Sequence, residues 1–437
     1  MATMRTKNRM LLLGVGLSTA SLLLTACGAG SSDNGGGGGG EAEAGEFSFL
    51  TNVENTTIPT ELETLAGDQC KTAADAMPLK VDTVPQTNLD QQLQLLAGQD
   101  ALPVQFAAGN APALTKELAA SGNVLDLEAT LTDLDVIDQV EPAAIDTIKA
   151  LYGGFNVLPY QYNVEGIWYN KQLFADNNIE VPETWDDFVA AADTLNTSGV
   201  TPLSASGEQG WPLTRLISGY LFSDLGKDAL QKVADGEAKL TDPEYVEAAA
   251  AVADLGQKGY FGEGVGSIDY DTAINQFLNG KAGMLYMGSW VLANFNDEAA
   301  NQIGTENIGF MPFPKVEGGA GIDEQYAANV GLPMAISQKA YNEGTGEWLK
   351  CITENYGSSA LENQGSISGF KVNEEVDVDP LTQTVQETIA GTSESVLWFE
   401  ALFGTQATTA SQTNAAPLVT GSMSPEQFME TVQSALK

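Results

Sequence analysis

The chain has 437 residues, 19 Lys and Arg against 58 Asp and Glu, a formal charge of −39 and no histidine. So acidic a chain argues against nucleic-acid binding and against electrostatic docking on anionic lipid, since both need dense cations. Without histidine there is no Ser-His-Asp or Cys-His nucleophile and no His-ligated zinc or copper; acid–base work would fall to retuned carboxylates or lysines, which leaves a two-carboxylate glycosidase open.

Arg5, Lys7 and Arg9 precede an apolar run, Met10 to Leu24, that ends in Leu24-Thr25-Ala26-Cys27-Gly28. A basic start, an apolar stretch too short to span comfortably and small residues before a cut site read as a secretory signal. Leu-Thr-Ala-Cys-Gly resembles the lipobox of bacterial lipoproteins. That resemblance implies a signal peptide over 1–27, acylation of Cys27 with a palmitate-type chain, and a body held outside the cytoplasmic membrane by lipid alone. Residues 28–45 include a six-glycine run, Gly35 to Gly40. They can bury no apolar area and read as a flexible tether with a root-mean-square span of roughly 25 Å. Cys70 and Cys351 remain. In a compartment that permits disulfides they either pair with each other or stay as two buried thiols.

From Glu46 onward the composition is globular, and the length exceeds one typical core, so two domains are expected. Phe47 to Thr51 reads as a strand, Asp90 to Leu96 as a helix, Pro103 to Phe106 as a strand and Leu114 to Ala120 as a helix. Thr184-Trp185-Asp186-Asp187 can cap a helix whose Trp185, Phe188, Val189, Ala192 and Leu195 follow at helical spacing. Asp242-Pro243-Glu244 and Ser424-Pro425-Glu426-Gln427 mark two further helix starts. Ser395 to Phe403 reads as helical. The alternation predicts α/β units with mostly parallel sheets. The acidic run Glu374 to Asp379 lacks the glycine turn and terminal glutamate of a calcium loop, and Gly318 to Gly321 lacks the lysine-serine of a phosphate cradle, so no metal site and no cofactor are expected.

Leu158 to Phe174, with Tyr162-Asn163-Val164-Glu165-Gly166-Ile167-Trp168-Tyr169-Asn170 at its centre, resembles the extracellular solute-binding proteins of carbohydrate ABC importers. So do Val181 to Phe188, Phe277 to Trp290 and Ile308 to Pro314, in family order. The layout is similar to that of maltose-binding protein and its oligosaccharide-binding relatives. The resemblance implies a periplasmic-binding-protein-like α/β fold of two lobes, with three interlobe crossings and a ligand cleft between the lobes. By analogy the crossings lie near Asn163 to Gly166, Phe310 to Pro314 and Ser366 to Phe370. Lobe 1 is then 46–164 plus 312–367, and lobe 2 is 165–311 plus 368–437. The implied partners are an oligosaccharide and the permease subunits of an ABC transporter, with the receptor a monomer and not an enzyme.

A sugar offers hydroxyls and apolar C–H faces, so its site needs flat aromatics and planar polar side chains. The resemblance places Trp290 and Trp398 where relatives stack aromatics on sugar rings, and Glu208 in a loop that supplies polar contacts. Position in loops after strands adds Glu54, Asn55 and Asn110. Trp211, Tyr160 and Asn329 complete the candidates, each with core packing or a turn cap as its bland alternative. Trp168 and Trp185 are expected to pack in the core. The competing functions are a carboxylate glycosidase and a receptor for a cation such as a polyamine.

Overall fold

The computed structural model describes residues 45–436 apart from 110, 324, 393 and 397. The signal, Cys27, nearly all of the tether and Asn110 lie outside the described residues. Among the described residues no helix is long and apolar enough to cross a membrane.

Two sheets organise the chain. The first has the order β2-β1-β3-β9, built from β1 (Phe47–Asn52), β2 (Leu79–Val84), β3 (Gln105–Ala107) and β9 (Met334–Ile336). β1 runs parallel to both β2 and β3, while β9 returns antiparallel to β3. The second sheet has the order β10-β8-β4-β6-β5. Its strands are β4 (Asn163–Asn170), β5 (Thr201–Ser204), β6 (Ala282–Gly288), β8 (Gln325–Asn329) and β10 (Glu394–Val396), with β7 (Ile308–Met311) also on β4. Here the expectation of mostly parallel strands fails, because β4 is antiparallel to β6, β7 and β8.

β4 is the axis of that sheet. All of its residues except Tyr169 are buried, as a strand covered on both faces requires. On one edge Asn163 to Glu165 pair with β8 and Ile167 to Asn170 pair with β7. Gly166 stands at the changeover. A Cβ there would meet the Met311 carbonyl and the Phe310 ring at 2.6 Å, so the two partners can converge only on a glycine.

Residues 325–329 pair in the second sheet, and the chain rejoins the first sheet at Met334. Gly369 and Lys371 bond to the backbone at Glu141 and Gln139. These are long-range bonds, and local composition carries no trace of them.

Helix starts follow their caps. Thr184 and Asp187 exchange the two bonds of a capping box, as do Ser424 and Gln427. Asp242 precedes the helix Pro243–Gln257 without capping it; its carboxylate accepts from the Lys239 amide instead. Ser395 to Phe403 is not one helix. It holds the end of β10 and a short turn of helix, Phe399–Leu402, with Trp398 at the junction. Asp379, the last acid of the acidic run, caps the helix Pro380–Gly391 through the amides of Leu381 and Thr382.

The first sheet packs on the helix Glu343–Gln364. Trp348 lies 4.9 Å from Phe47, centroid to centroid, and its indole N–H donates to the Met77 carbonyl. Behind β4, Trp168 meets Phe295 edge-on at 4.9 Å and donates to the Met287 carbonyl. Trp168 and Trp185 are core residues, as expected. Cys70 and Cys351 form a disulfide that closes a separation of 281 residues and ties the turn after the helix Thr57–Gly67 to the helix Glu343–Gln364. Closing so long a loop restricts the unfolded chain strongly. Replacing both cysteines by serine is therefore expected to lower unfolding free energy by about 2–5 kcal/mol in a urea titration, and equal midpoints would show that the bond adds nothing.

Candidate binding cleft

Residues near the C-terminal end of β1, from the segment after β8 and from the helices of the second sheet enclose one cavity of ≈ 190 Å³. It brings together six of the nine candidates: Glu54, Asn55, Trp211, Trp290, Asn329 and Trp398.

Glu54 and Asn55 follow β1. The Asn55 amide N–H bonds to the Asn52 side-chain oxygen at 2.8 Å, and its Nδ2 donates to Thr51 Oγ1 at 2.8 Å; this Asx turn directs Asn52, Glu54 and Asn55 to the cavity. Glu54 accepts from the Gln86 amide at 3.2 and 3.4 Å, the first N–H of the helix Gln86–Gly98. Its carboxyl titrates above the usual carboxylate range, first because burial removes water from it, and further because Asp271 and Glu208 lie near; its own amide and that of Gln86 oppose the rise.

Trp211 opens the helix Trp211–Leu225. Its ring meets Trp290 at 5.8 Å with an interplanar angle of 62°, and Tyr270 at 6.3 Å. Trp290 is half-buried and hydrogen-bonded to the Tyr270 side chain. Its indole folds back over Gly288, where any Cβ would lie inside the ring's van der Waals surface. Burial raises the Tyr270 phenol well above its ordinary value, against that bond from Trp290.

One turn beyond Trp211, Arg215 reaches the cavity wall. Its guanidinium carbon lies 4.0 Å from the Trp398 ring centroid and 5.4 Å from that of Trp211, within range of cation–π attraction. Arg215 pairs with the buried Glu165 of β4. Glu165 also accepts from Asn329 Nδ2 at 2.8 Å and from the Tyr286 hydroxyl at 3.2 Å. Asn329 in turn accepts from the Gly331 amide at 2.7 Å and from Asn163 at 3.3 Å, and Asn163 accepts from Ser289 at 3.1 Å. Asn329 is thus both a wall residue and a network member. Burial lifts the Tyr152 phenol on the cavity wall, with the Arg215 charge opposing.

Three candidates stand elsewhere. Tyr160 has no exposure; its hydroxyl donates to Gln105 Oε1 at 2.8 Å and its ring packs on Tyr356 at 4.7 Å. It packs in the core, the alternative held open for it, in an aromatic cluster with Tyr356 and Phe370. Glu208 is exposed and does not line the cavity; only its charge reaches Glu54. Asn110 lies outside the described residues.

Arg215, Tyr270, Gln86, Gln161 and Gln209 also line the cavity and were not singled out in the sequence. A signal existed for one of them. Arg215 is the sole arginine beyond Arg5 and Arg9, and it sits four residues after Trp211 in a helix whose one other charged residue is Asp224. Its pairing with Glu165, fifty positions away, has no local signature.

Two outcomes follow from this electrostatics. Arg215→Met would leave the Glu165 carboxylate buried with Asn329 and Tyr286 as its donors among the described residues, and is expected to cost about 3–5 kcal/mol in chemical unfolding; a loss under about 1 kcal/mol would mean that the pair is dispensable. A carboxyl whose folded pKa is raised stabilises the fold where it is protonated, and that contribution is lost as pH rises through the raised value. Glu54→Gln should therefore raise the melting temperature at neutral pH, and the gain should vanish in acid below the ordinary glutamate range. A gain independent of pH would contradict the raised value.

The family of bacterial extracellular solute-binding proteins matches residues 79–357. An uncharacterized ABC transporter extracellular-binding protein from Pyrococcus horikoshii is 26% identical over 231 residues, covering 49% of this chain and 51% of that one. A multiple sugar-binding protein from Streptococcus mutans is 27% identical over 220 residues, covering 49% and 50%. The chain thus spans about half the length of these curated relatives. Among solved structures, a chitin oligosaccharide binding protein superposes with a TM-score of 0.78 at 25% identity, over 89% of this chain and 98% of that one; such neighbours are two-lobed, as this α/β chain with its two sheets is. With more than half of its length matched from β2 through β9, the chain belongs to the bacterial extracellular solute-binding protein family.

Proposed function

We propose that this protein is an extracellular receptor that binds a neutral oligosaccharide in the cleft and delivers it, unaltered, to the permease of an ABC transporter. The observation that carries this reading is the composition of the wall: three indoles and two phenols beside side-chain amides, around a single carboxylate among the described residues. Aromatic faces suit the C–H surfaces of sugar rings, and amides can both donate to and accept from hydroxyls. The names of the relatives, a multiple sugar-binding protein and a chitin oligosaccharide binding protein, agree with it.

Each lobe in this reading is built on one sheet, with the passages near 159–162, 330–333 and beyond 371. Closure about these passages buries the ligand, and only a ligand with better contacts in the closed state drives it. Lipidation at Cys27 holds the receptor at the outer face of the cytoplasmic membrane as a monomer. Glycoside hydrolysis needs two acids facing one bond, and Glu54 is the one carboxylate on the wall among the described residues.

A micromolar binder corresponds to about −8 kcal/mol. Calorimetry against a panel of neutral oligosaccharides is expected to find such a ligand and to recover it intact after incubation. Trp290→Ala should weaken it at least about tenfold, or ~1.4 kcal/mol. Unchanged affinity would remove Trp290 from the site, and cleaved sugar would replace the receptor by an enzyme.

A further inference from the structure

Behind the cleft lies a second, smaller cavity of ≈ 40 Å³. The linings of the two share two side chains, Arg215 and Trp398. We propose that this pair is an end wall that fixes the length of saccharide the cleft accepts, and that the chamber behind it is a latent site for one more sugar unit. The inference rests on the receptor reading.

The wall is layered and braced. The guanidinium lies 4.0 Å over the indole, and Trp398 is only 5% exposed. Arg215 is held by Glu165, which is itself held by Asn329 and Tyr286. Swinging Trp398 aside would uncover a paired, desolvated charge without giving it a new partner, so the wall resists displacement by a growing ligand. While it stands, the chamber has room for a few waters and not for a ring.

Ser218, Ser223 and Gln325 line the chamber with hydroxyls and an amide, Phe313 and Tyr326 with aromatic surface. Ser218 and Ser223 already bond the backbone at Thr214 and Val316, and Lys315 on the lining pairs with Asp323. The chamber's rim reaches solvent at Ile322, which is 48% exposed. Removing the indole would join the two cavities.

The test is calorimetry of the mature protein with chito-, xylo- and galacto-oligosaccharide series of increasing length. The wild-type protein should gain affinity with length and then stop, consecutive sugars beyond that point binding within about twofold. Trp398→Ala should bind the plateau sugar at least about tenfold more weakly, yet gain at least about fivefold from the next unit. Ala327→Val, which narrows the chamber from β8 without needing room for a ring, should abolish that gain in the Trp398→Ala background. Should Trp398→Ala melt below the assay temperature, Trp398→Leu, which keeps apolar packing with less volume, replaces it. A folded variant whose affinity stops at the wild-type length overturns the proposal, as does a wild-type protein whose affinity never stops rising. A wild-type protein that binds no member of any series overturns the receptor reading itself, and the end wall falls with it.

Discussion

The buried ion pair between Arg215 and Glu165 is the contact on which the cleft depends. Removing two charges from water costs several kcal/mol for each ion, and their mutual attraction offsets this only where remaining donors and acceptors are also satisfied. Here the remaining Glu165 positions are taken by Asn329 and Tyr286. One carboxylate therefore ties the helix Trp211–Leu225 to β4, β6 and β8 at once. Trp211 begins that helix and Trp398 lies under the guanidinium, so the positions of two cleft indoles follow from where one charge can be stabilised.

The choice of residue is physical. Lysine would carry the same charge, but its ammonium is compact and strongly hydrated, whereas a guanidinium is planar and can lie flat on an aromatic face while bonding a carboxylate in its plane. A chain with one arginine beyond its first ten residues has placed it where both demands meet. Glu165 occupies the last β4 position paired with β8, directly before the Gly166 changeover. The anion is thus fixed by the ladder itself, not by a mobile loop, and this rigidity lets a single pair orient so much of the wall.

Much of this was legible in the sequence, for reasons that differ by element. Caps at Thr184 and Ser424 are local bonds between residues three apart, and the structure keeps both. Trp290, Trp211 and Trp398 came to one cavity with Glu54, Asn55 and Asn329, because loops that follow strands at one sheet edge converge. Tyr160 could not be decided between wall and core because its place depends on Tyr356, nearly two hundred residues later. Glu208 shares a short loop with Gln209, yet only Gln209 lines the cavity; adjacent side chains on a turn diverge, and composition cannot tell which one points inward. The allotment of β8 to the second sheet is likewise a fact of pairing, invisible until Asn163 meets Asn329.

Among the described residues, little of the charge that dominates the composition lies on the cavity wall. Among the wall residues the ionisable side chains of opposite sign are one each, Glu54 and Arg215, against a chain total of −39. Surface acids in water are screened beyond about 10 Å at ordinary ionic strength, so their number says little about what the cavity holds. What remains near the ligand is Glu54, with Asp271 and Glu208 close enough to raise its pKa. An anionic sugar would meet that carboxylate, while Arg215, the one cation on the wall among the described residues, is already engaged by Glu165. The wall accordingly disfavours negative charge by repulsion and offers its indoles to apolar ring faces, and these two terms are what support the proposal of a neutral saccharide.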